Sequence, residues 1–536
     1  MSEYDYVIVG AGTAGCILAR RLTEGSDCSV LLLEAGSQAS SWRFDMPMAW
    51  PTLLSNKTAL WRYHDRDAAS PNQQLVGGRV VGGSSSVNAM SFVRGHRSDF
   101  DRWAKAGLTG MSYDDVLPYF RRMESWQGSD SPYRGKDGPV PVAQSRLEDP
   151  ALTALMQAAD AQGARTYIDC NEPEPSGFGL TQLTVAGGRR ASAATCYLAP
   201  ALAAGARVQL VTGALATRVV LEKGTAVGVQ YRVRGENRTA RASREVIVAA
   251  SGVQSPQLLM LSGIGDPTVL RALGIAVEAA LPGVGRNLRN HVSLGLQYAR
   301  RHPGPISRGL RLDRLAGAAI QWFAGGEGFL ATPPNAAMGF IETPESRGIP
   351  DIQILFFSTT PQARPYWPLV QHPYTDGFTL TAVLLRPEST GSIELPSADP
   401  LHAPRVSQNR LATQRDRETL AHGIRRIDAL AHEKALRAVS AGPLGDHPSD
   451  LSHSELDSFI RVAAMPMFHL SGSCRMGPEG DRMSVVDSRF RVYGVRNLRV
   501  IDASVMPDLI GGNPFACVAM LAEKASDDIR GNNKPC

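Results

Sequence analysis

The chain has 536 residues, of which 43% are hydrophobic and 20% are charged. At ~100–200 residues per domain, this length predicts two or three domains, and the composition excludes a disordered chain, a collagen and a coiled coil. Lys and Arg total 56 against 51 Asp and Glu, so the formal net charge is only +5. So weak a bias does not indicate nucleic-acid binding, which needs basic residues clustered on one face.

The cysteines and the N-terminus predict a cellular location. The cysteines contain no CxxC pair, and their low, odd number predicts free thiols in a reducing compartment. The first residues lack the basic region of a signal peptide, and no stretch reaches the ~18 apolar residues of a membrane helix. We therefore expect a cytoplasmic protein without a membrane span. The cysteines are Cys16, Cys28, Cys170, Cys196, Cys474, Cys517 and Cys536.

The N-terminal residues predict a βαβ unit. An apolar run at 6–9 is followed by Gly10, Gly12 and Gly15 in a GxGxxG pattern, then by a helical pattern and a second apolar run that ends at Glu34. The first glycine permits the turn, the second lets a pyrophosphate approach the backbone, and the third lets the helix pack closely. Glu34 lies close to the ~20-residue spacing expected for an acid that binds the adenosine ribose. The unit predicts dinucleotide binding without separating NAD from FAD.

The remaining elements can be predicted more coarsely. In chain order we expect a loop-rich stretch at 40–140, a helix at 145–165, strands at 206–250, a larger antiparallel sheet at 291–455 with helices near 413–437, and a tail from 458 that ends in a helix at 516–527. The run at 246–250 is entirely apolar, so we expect this strand to rejoin the first sheet.

Two further segments are rich in small residues. Residues 77–88 hold four glycines and three serines around Arg79, and three valines within them favour packing over a flexible linker. Such a backbone can lie against a flat ligand or a phosphate. Residues 251–265 directly follow the apolar strand and predict a tight turn, a short helix and a stop.

Two C-terminal segments carry candidate chemical groups. His469 lies between an apolar stretch and a glycine turn, and a histidine that faces an apolar pocket can act as a general base near neutral pH. Asp502 ends an apolar strand, where a ligand contact is expected at the carboxyl edge of the sheet. Asn513, within Gly-Gly-Asn-Pro, is also compatible with a plain turn.

Together, these five motifs resemble the glucose–methanol–choline (GMC) oxidoreductase family. The similarity runs from the first glycine motif to residues 511–514 and includes the two family signatures, at 78–95 and 251–265, and a segment at 281–288. It implies an α/β fold in which a Rossmann-like FAD-binding domain joins a substrate domain with a large antiparallel sheet flanked by helices.

The resemblance also implies domain bounds. The FAD-binding domain would be discontinuous, and a loop-rich segment would cover the cofactor. The implied bounds are 1–40, 190–290 and 458–536 for the FAD-binding domain, 41–140 for the covering segment, and 141–189 with 291–457 for the substrate-binding domain.

The resemblance implies bound FAD and no metal. In some relatives a histidine just before the position of Asn88 bonds covalently to the flavin, and because Val87 stands there we expect non-covalent FAD. The positions matched to FAD binding are Gly10, Gly12, Thr13, Ala14, Gly15, Glu34, Ala35, Trp61, Arg79, Gly82, Gly83, Asn88, Ala89, Met90, Ala216, Asp502, Ala503, Asn513 and Pro514.

The two active-site positions of the family fall on His469 and Asn513. Many relatives carry a second histidine at the latter position, and an asparagine cannot exchange a proton. We therefore expect His469 to be the only base, taking the hydroxyl proton as a hydride passes to flavin N5, and Asn513 to hydrogen-bond the substrate oxygen. Relatives usually have aspartate at Asn290, just before His291, and we interpret this difference as a local structural change.

Substrate signals are few. Phe468 resembles the arrangement in aryl-alcohol oxidases, and Met465, Met467 and Met90 add soft apolar surface. We expect a primary alcohol with an aromatic, furanic or medium-chain aliphatic body, oxidised to the aldehyde or on to the acid. Choline-type members carry an acid in the segment corresponding to 335–340, where this chain has none, which argues weakly against a quaternary ammonium substrate.

Other activities within the family stay open. They are a hydroxynitrile lyase, a light-driven decarboxylase and, within the redox class, a choline- or polyether-type alcohol dehydrogenase. The electron acceptor is O2 or a quinone-type or artificial acceptor, which no motif separates. We expect a monomer or homodimer.

Overall fold

The computed structural model describes residues 2–67, 74–367, 370, 374–448 and 451–532. Two sheets of seven strands organise these residues. One is mostly parallel and the other antiparallel, which confirms the predicted α/β fold class. The domain bounds stay a prediction.

The strands fall into two large sheets and several small ones. Within the described residues they are β1 (Ser2–Val9), β2 (Val30–Glu34), β3 (Leu60–His64), β4 (Gln74–Gly78), β5 (Glu124–Trp126), β6 (Val140–Gln144), β7 (Gly177–Leu180), β8 (Gln182–Leu183), β9 (Val185–Ala186), β10 (Arg189–Arg190), β11 (Val208–Thr212), β12 (Ala214–Glu222), β13 (Thr225–Val233), β14 (Glu236–Val248), β15 (Ile264–Gly265), β16 (Ala279–Ala280), β17 (Val292–Arg300), β18 (Asn335–Ile341), β19 (Ile352–Phe357), β20 (Gly377–Leu384), β21 (Ser392–Glu394), β22 (Arg405–Ser407), β23 (Ser440–Leu444), β24 (Met465–Pro466) and β25 (Leu498–Val500).

The α-helices range from four to 19 residues in length. In the same part of the chain they are α1 (Thr13–Thr23), α2 (Trp42–Asp45), α3 (Trp50–Leu53), α4 (Arg97–Lys105), α5 (Tyr113–Met123), α6 (Pro150–Ala161), α7 (Ala199–Ala203), α8 (Ser251–Leu261), α9 (Pro267–Ala272), α10 (Pro305–Gly309), α11 (Leu312–Gly325), α12 (Gln414–His432), α13 (Lys434–Val439), α14 (His453–Ala463) and α15 (Phe515–Asn532).

The first large sheet has the order β11-β2-β1-β14-β13-β12, with β25 also paired to β14. β11, β2, β1, β14 and β25 run parallel, whereas β12 and β13 extend the sheet antiparallel. Because parallel strands point the same way, the carboxyl ends of β1, β2, β14 and β25 meet at one edge. This edge carries Glu34, the last residue of β2, and Gly10, Ser251 and Asp502, which follow the other three strands. Dinucleotides bind in the crevice at such an edge.

The second large sheet has the order β23-β17-β20-β19-β18-β7 and is antiparallel, with β24 paired to β17. Side chains alternate across it. On β19, Ile354 and Phe356 share a buried cluster with α6, α12 and α14, whereas Leu355 and Phe357 face a cavity. One face of this sheet is therefore core, and the other is a wall of the candidate site.

The pairing of β24 with β17 brings two histidines together. In the register of these strands Val292 lies opposite Pro466, and the N–H of Met467 donates to the carbonyl of His291. Phe468 then adopts the left-handed region at φ 60°, which turns the chain so that the ring of His469 lies beside that of His291.

The structure confirms predicted helices in the middle and at the end of the chain, whereas the covering segment contains helices that were not predicted. The helices predicted at 145–165 and 516–527 correspond to α6 and α15. Residues 40–140 were expected to be loop-rich, but α4 and α5 lie there. Each of these helices begins with a capping box, in which an acid three residues on bonds back to the cap. For α5 the Ser-x-x-Asp signature was readable from the sequence.

The cysteine expectation needs one correction. Cys28 is disulfide-bonded, so the prediction of free thiols was wrong at this residue, because a pairing distant in sequence cannot be deduced from spacing. Cys536 lies outside the described residues. No helix in the described ranges is both long and apolar enough to cross a membrane. The free cysteines, all buried, are Cys16, Cys170, Cys196, Cys474 and Cys517.

Candidate active site

A cavity of about 680 Å³ lies between the carboxyl edge of the first sheet and the inner face of the second. This size falls within the ~300–1,000 Å³ of small-molecule sites. Most predicted site residues line it, and their individual roles stay predictions. The lining members are Gly10, Gly12, Thr13, Ala14, Glu34, Ala35, Trp61, Gly83, Asn88, Ala89, Met90, Ala216, Met465, Met467, Phe468, His469, Asp502, Ala503, Asn513 and Pro514.

Gly15, Arg79 and Gly82 lie behind this lining. A Cβ on Gly15 would come within 1.9 Å of the carbonyl oxygen of Gly10, so only glycine fits there. Gly82 adopts a φ of 90°, which also favours glycine. The Arg79 guanidinium lies 4.6 Å from the ring centroid of Trp61. These three residues shape the walls of the cavity.

The turn after β1 fits the diphosphate of a dinucleotide. Gly12 lines the cavity, and a Cβ there would come no closer than 4.0 Å to the protein atoms around it. Protein packing therefore does not demand glycine at this position, whereas close approach of a diphosphate would. Helix α1 follows without a side-chain cap and without an acid in its first turn. Its N–H groups and the positive end of its dipole are left to bind an anion.

Glu34 fits a ribose. Its Oε2 accepts the N–H of Ala11 at 3.0 Å and its Oε1 accepts the N–H of Gly36 at 2.7 Å. Burial raises the pKa of this carboxyl to about 7, against the opposing effect of these two bonds. Each oxygen keeps a second lone pair that a ribose hydroxyl can use.

Asp502 supports the opposite wall. Its Oδ2 accepts the N–H of Ser251 at 2.8 Å and the hydroxyl of Ser255 at 2.5 Å, and its Oδ1 accepts the N–H of Ser504 at 2.8 Å. Ser251 has a φ of 91°, rare for a non-glycine residue. The carboxylate therefore holds the strained turn where α8 begins, and burial raises the pKa of Asp502.

Val87 is the residue that decides the expectation of non-covalent cofactor binding. It lines the cavity, is 6% exposed and packs in a small apolar cluster with Phe44 and Leu53. A hydrocarbon side chain offers no nucleophile, so Val87 cannot bond covalently to a flavin.

His469 faces the cavity with His291 behind it, and their Nδ1 atoms are 2.8 Å apart. Nε2 of His291 lies 3.0 Å from the carbonyl of Leu385 and 3.1 Å from that of Ile510. Carbonyls only accept, so this Nε2 carries a proton. Burial lowers the pKa of His291 to about 4, so its Nδ1 is bare at neutral pH. Nδ1 of His469 must then donate, which leaves a lone pair on Nε2 of His469.

Asn513 lies beside His469 at the cavity. Its Nδ2 lies 3.5 Å from Nε2 of His469. Burial lowers the pKa of His469 well below its ordinary value, so the ring is neutral at pH 7. A lone pair and an N–H donor therefore face the same position. An alcohol oxygen bound there can donate its proton to His469 and accept a hydrogen bond from Asn513.

Asn290 holds His469 through its backbone. The Oδ1 of Asn290 accepts the N–H of His469 at 2.7 Å, and its Nδ2 donates to Oε1 of Gln408 at 2.6 Å. Nε2 of Gln408 then donates to Asp65 at 2.5 Å. Each amide in this chain uses one end to accept and the other to donate. The asparagine noted in the sequence is thus part of a directional network.

The substrate end of the cavity is apolar. Met465, Met467, Phe468, Leu355 and Phe357 line it. Among the described residues around the whole cavity, the only carboxylates are those of Glu34 and Asp502. Both lie at the carboxyl edge of the first sheet. No group of three potential metal ligands occurs in the part of the chain that the structure describes.

Two models of one family match this chain. Both are described as GMC oxidoreductase, and they match residues 4–293 and 387–522. The chain belongs to the GMC oxidoreductase family. The resemblance inferred from the five motifs is confirmed.

Relatives and solved structures agree with this assignment. The chain is 38% identical to "Choline dehydrogenase, mitochondrial" of Homo sapiens, covering 99% of this chain and 90% of that one. It is 39% identical to "Oxygen-dependent choline dehydrogenase" of Pseudomonas aeruginosa, covering 99% and 95%. The structure of pyridoxine 4-oxidase from Mesorbium loti matches with a TM-score of 0.86 at 28% identity, covering 99% and 100%.

The enzyme is therefore a FAD-dependent alcohol oxidoreductase. The cavity fits FAD: the uncapped helix would hold the diphosphate, Glu34 the ribose, and the segment around Asn88 the ring system. These relatives support alcohol oxidation over the lyase and decarboxylase alternatives. Non-covalent binding of FAD stays a prediction, and the hydrocarbon side chain of Val87 agrees with it.

Sequence reasoning missed the residues behind the site. His291 was noted only as the neighbour of Asn290, and Gln408 and Asp65 carried no signal. Each acts through a contact between residues more than 100 positions apart. The pair Asn290-His291 was readable only as a departure from the family pattern.

The glycines of the first turn yield a matched pair of variants. The methyl group of Gly12→Ala has room within the protein, so we expect this variant to fold like the parent. Because the same methyl group enters the space of the ligand, we expect its affinity for FAD to fall by about ten-fold or more. Gly15→Ala collides with backbone and should lower soluble yield and unfolding temperature. Far-UV circular dichroism, thermal unfolding and flavin content measure both. Full flavin content in Gly12→Ala would contradict the ligand approach at this residue.

The network behind His469 yields a rescue experiment. In Asn290→Asp the new carboxylate oxygen faces Oε1 of Gln408, and two acceptors cannot form a hydrogen bond. If the Gln408 amide flips to donate to the new carboxylate, its Oε1 faces the carboxylate of Asp65 instead. An unsatisfied buried contact costs about 1–3 kcal/mol, so we expect kcat/KM to fall about ten-fold with flavin content unchanged. Adding Asp65→Asn restores a donor for the flipped Gln408 and should recover most of the loss. Equal activity of the single variant and the parent would contradict the network.

Proposed function

We propose that the substrate is a neutral primary alcohol on an apolar body, aromatic, furanic or medium-chain aliphatic, which is oxidised to the aldehyde. The main support is the pair of groups 3.5 Å apart, Nε2 of His469 and Nδ2 of Asn513, beside an apolar pocket that carries no carboxylate of its own. One hydroxyl satisfies both groups, and the rest of the substrate contacts hydrocarbon such as Met467 and Phe468.

His469 is the base in this proposal. Its Nε2 takes the hydroxyl proton while Asn513 holds the oxygen. As positive charge develops on the ring, the bond from Nδ1 to His291 becomes charge-assisted and stabilises it. Bound FAD supplies the acceptor for the hydride that leaves the alcohol carbon. The C–O single bond becomes a carbonyl, the proton resides on His469, and both electrons leave with the hydride.

Choline is the second candidate, because relatives 38–39% identical to this chain bear the name choline dehydrogenase. A buried quaternary ammonium group is stabilised by a carboxylate or by aromatic faces. The substrate end offers Phe357 and Phe468 but no acid. The balance of these contacts favours a neutral substrate.

The acceptor, assembly and location stay proposals. The Pseudomonas aeruginosa relative is named oxygen-dependent, which supports O2 over a quinone-type acceptor. The human relative is named mitochondrial, whereas we keep the expectation of a cytoplasmic enzyme, monomeric or homodimeric, as a prediction.

Substrate class is tested by anaerobic mixing of the yellow enzyme with single alcohols while the visible flavin absorbance is followed. We expect benzyl alcohol or 1-octanol to bleach the flavin, and choline at the same concentration to do so at least about 100-fold more slowly, because the substrate end has no carboxylate to pair with its charge. Faster bleaching by choline would reverse the proposed order. Bleaching by none of the three would contradict an apolar-bodied alcohol.

The base is tested by His469→Ala. Loss of a general base typically costs about 10²–10⁴-fold, so flavin reduction should slow by that factor with flavin content retained. His469→Gln is the matched control, since it keeps a hydrogen-bonding side chain but cannot accept the proton, and should be equally slow. A parent-like rate in either variant would disprove the assignment.

The pH dependence of flavin reduction reports whether the pKa of His469 is raised or lowered. The reactive form is neutral and the pKa is lowered, so the rate of flavin reduction should stay constant as pH falls through the ordinary imidazole pKa of about 6.5 and decline only below it. Anaerobic stopped-flow rates between pH 5 and 9 measure this. A rate that already falls between pH 8 and 7 would contradict a depressed pKa.

A further inference from the structure

Arg190 is a buried cation behind the wall of the cavity that covers the cofactor. It ends β10 and is 4% exposed, whereas its neighbour Arg189 is exposed. Its Nε donates to the carbonyl of Phe44 at 2.8 Å. Its Nη1 donates to the carbonyl and to the Oδ1 of Asn88, both at 2.7 Å. The guanidinium thus forms two hydrogen bonds with Asn88.

The charge of Arg190 lacks a direct counter-ion. Within the described residues it forms no ion pair, and its Nη2 is buried without a hydrogen-bond partner. Among the residues that the structure describes, Asp45 is the only acid whose charge opposes the effect of burial on the pKa of Arg190. Burial lowers the pKa of Arg190 to about 9, which leaves it charged at neutral pH. A buried cation satisfied only by neutral oxygens is costly.

The two bonds also fix the orientation of the Asn88 amide. Its Oδ1 accepts from Nη1 of Arg190 and from the N–H of Met90 at 3.0 Å. Both partners can only donate, so the oxygen must lie on this side and Nδ2 on the other. Asn88 lines the cavity, and its Nδ2 has no partner among the described residues. An N–H donor therefore faces the cavity, with the positive charge of Arg190 directly behind it.

We propose that Arg190 is a positioning residue for the flavin, which presents the Nδ2 of Asn88 to the ring and stabilises the anionic reduced form over the neutral oxidised form. Two-electron reduction at neutral pH adds negative charge to the ring, and a nearby fixed cation in a low-dielectric site favours that state. This inference does not depend on which alcohol is oxidised. It explains why a cation without a counter-ion is kept at this place.

The test uses the purified holoenzyme and two readouts that are independent of turnover, the flavin midpoint potential and the dissociation constant of sulfite. Sulfite adds to the oxidised flavin and gives an anionic adduct, so it reports the same charge stabilisation. Arg190→Gln should weaken sulfite binding about ten-fold and lower the potential by the matching ~30 mV. Arg190→Lys, which keeps the charge, should stay within about two-fold of the parent.

Two further variants keep the test decisive. Arg189→Gln removes an exposed neighbouring charge, whose guanidinium lies over the ring of Trp322, and should leave both readouts unchanged. Asn88→Asp keeps Arg190 but offsets its charge with a carboxylate, and it also removes the Nδ2 donor. We therefore expect it to shift both readouts in the same direction as Arg190→Gln. It serves as the test if Arg190→Gln fails to fold. Parent-like potential and sulfite affinity in Asn88→Asp or in Arg190→Gln would overturn the proposal.

Discussion

Backbone-to-backbone packing at the carboxyl edge of the first sheet is the constraint on which the rest of the site depends. A Cβ on Gly10 would lie 2.4 Å from the carbonyl oxygen of Ala249, and one on Gly83 would lie 2.7 Å from the Cα of Gly12. The turn after β1, the end of β14 and the covering segment therefore meet without side chains between them. Only that close approach brings the covering segment, with Asn88, onto the dinucleotide crevice.

Much of this arrangement is written locally in the sequence. The apolar runs of β1 and β2, the glycine spacing and the position of Glu34 predicted the nucleotide half of the site, because a βαβ unit is specified within about 35 residues. His469 and Asn513 were assigned through the resemblance to a family. Helix α4 was missed because its cap is a histidine, His96, rather than one of the usual capping residues.

The groups behind the site could not be predicted, for a physical reason. The tautomer of His469 is set by two carbonyls, of Leu385 and Ile510, that act on it through His291. Backbone carbonyls exist at every residue and leave no mark in a sequence. The grip of Arg190 on Asn88 likewise joins positions about 100 residues apart. Such contacts are visible only once both sheets are assembled.

Charge follows one pattern through the molecule. The described residues that line the cavity include no lysine or arginine, yet Arg190 and Arg79 lie directly behind them. Cations one layer back act on a ligand through the low-dielectric wall without competing for its hydrogen bonds. The substrate end of the cavity can therefore be lined by apolar side chains, while the cations behind the wall favour an anionic state of the cofactor.

The network from Asn290 to Asp65 has a consequence for assembly. Asp65 follows directly on β3, the strand that carries Trp61 in the wall of the FAD cavity. The β3–β4 hairpin is thus tied through Gln408 and Asn290 to the backbone of His469. A displacement of the strand that carries Trp61 is therefore transmitted to the backbone of His469, and we expect this part of the cavity wall and the base to become ordered together.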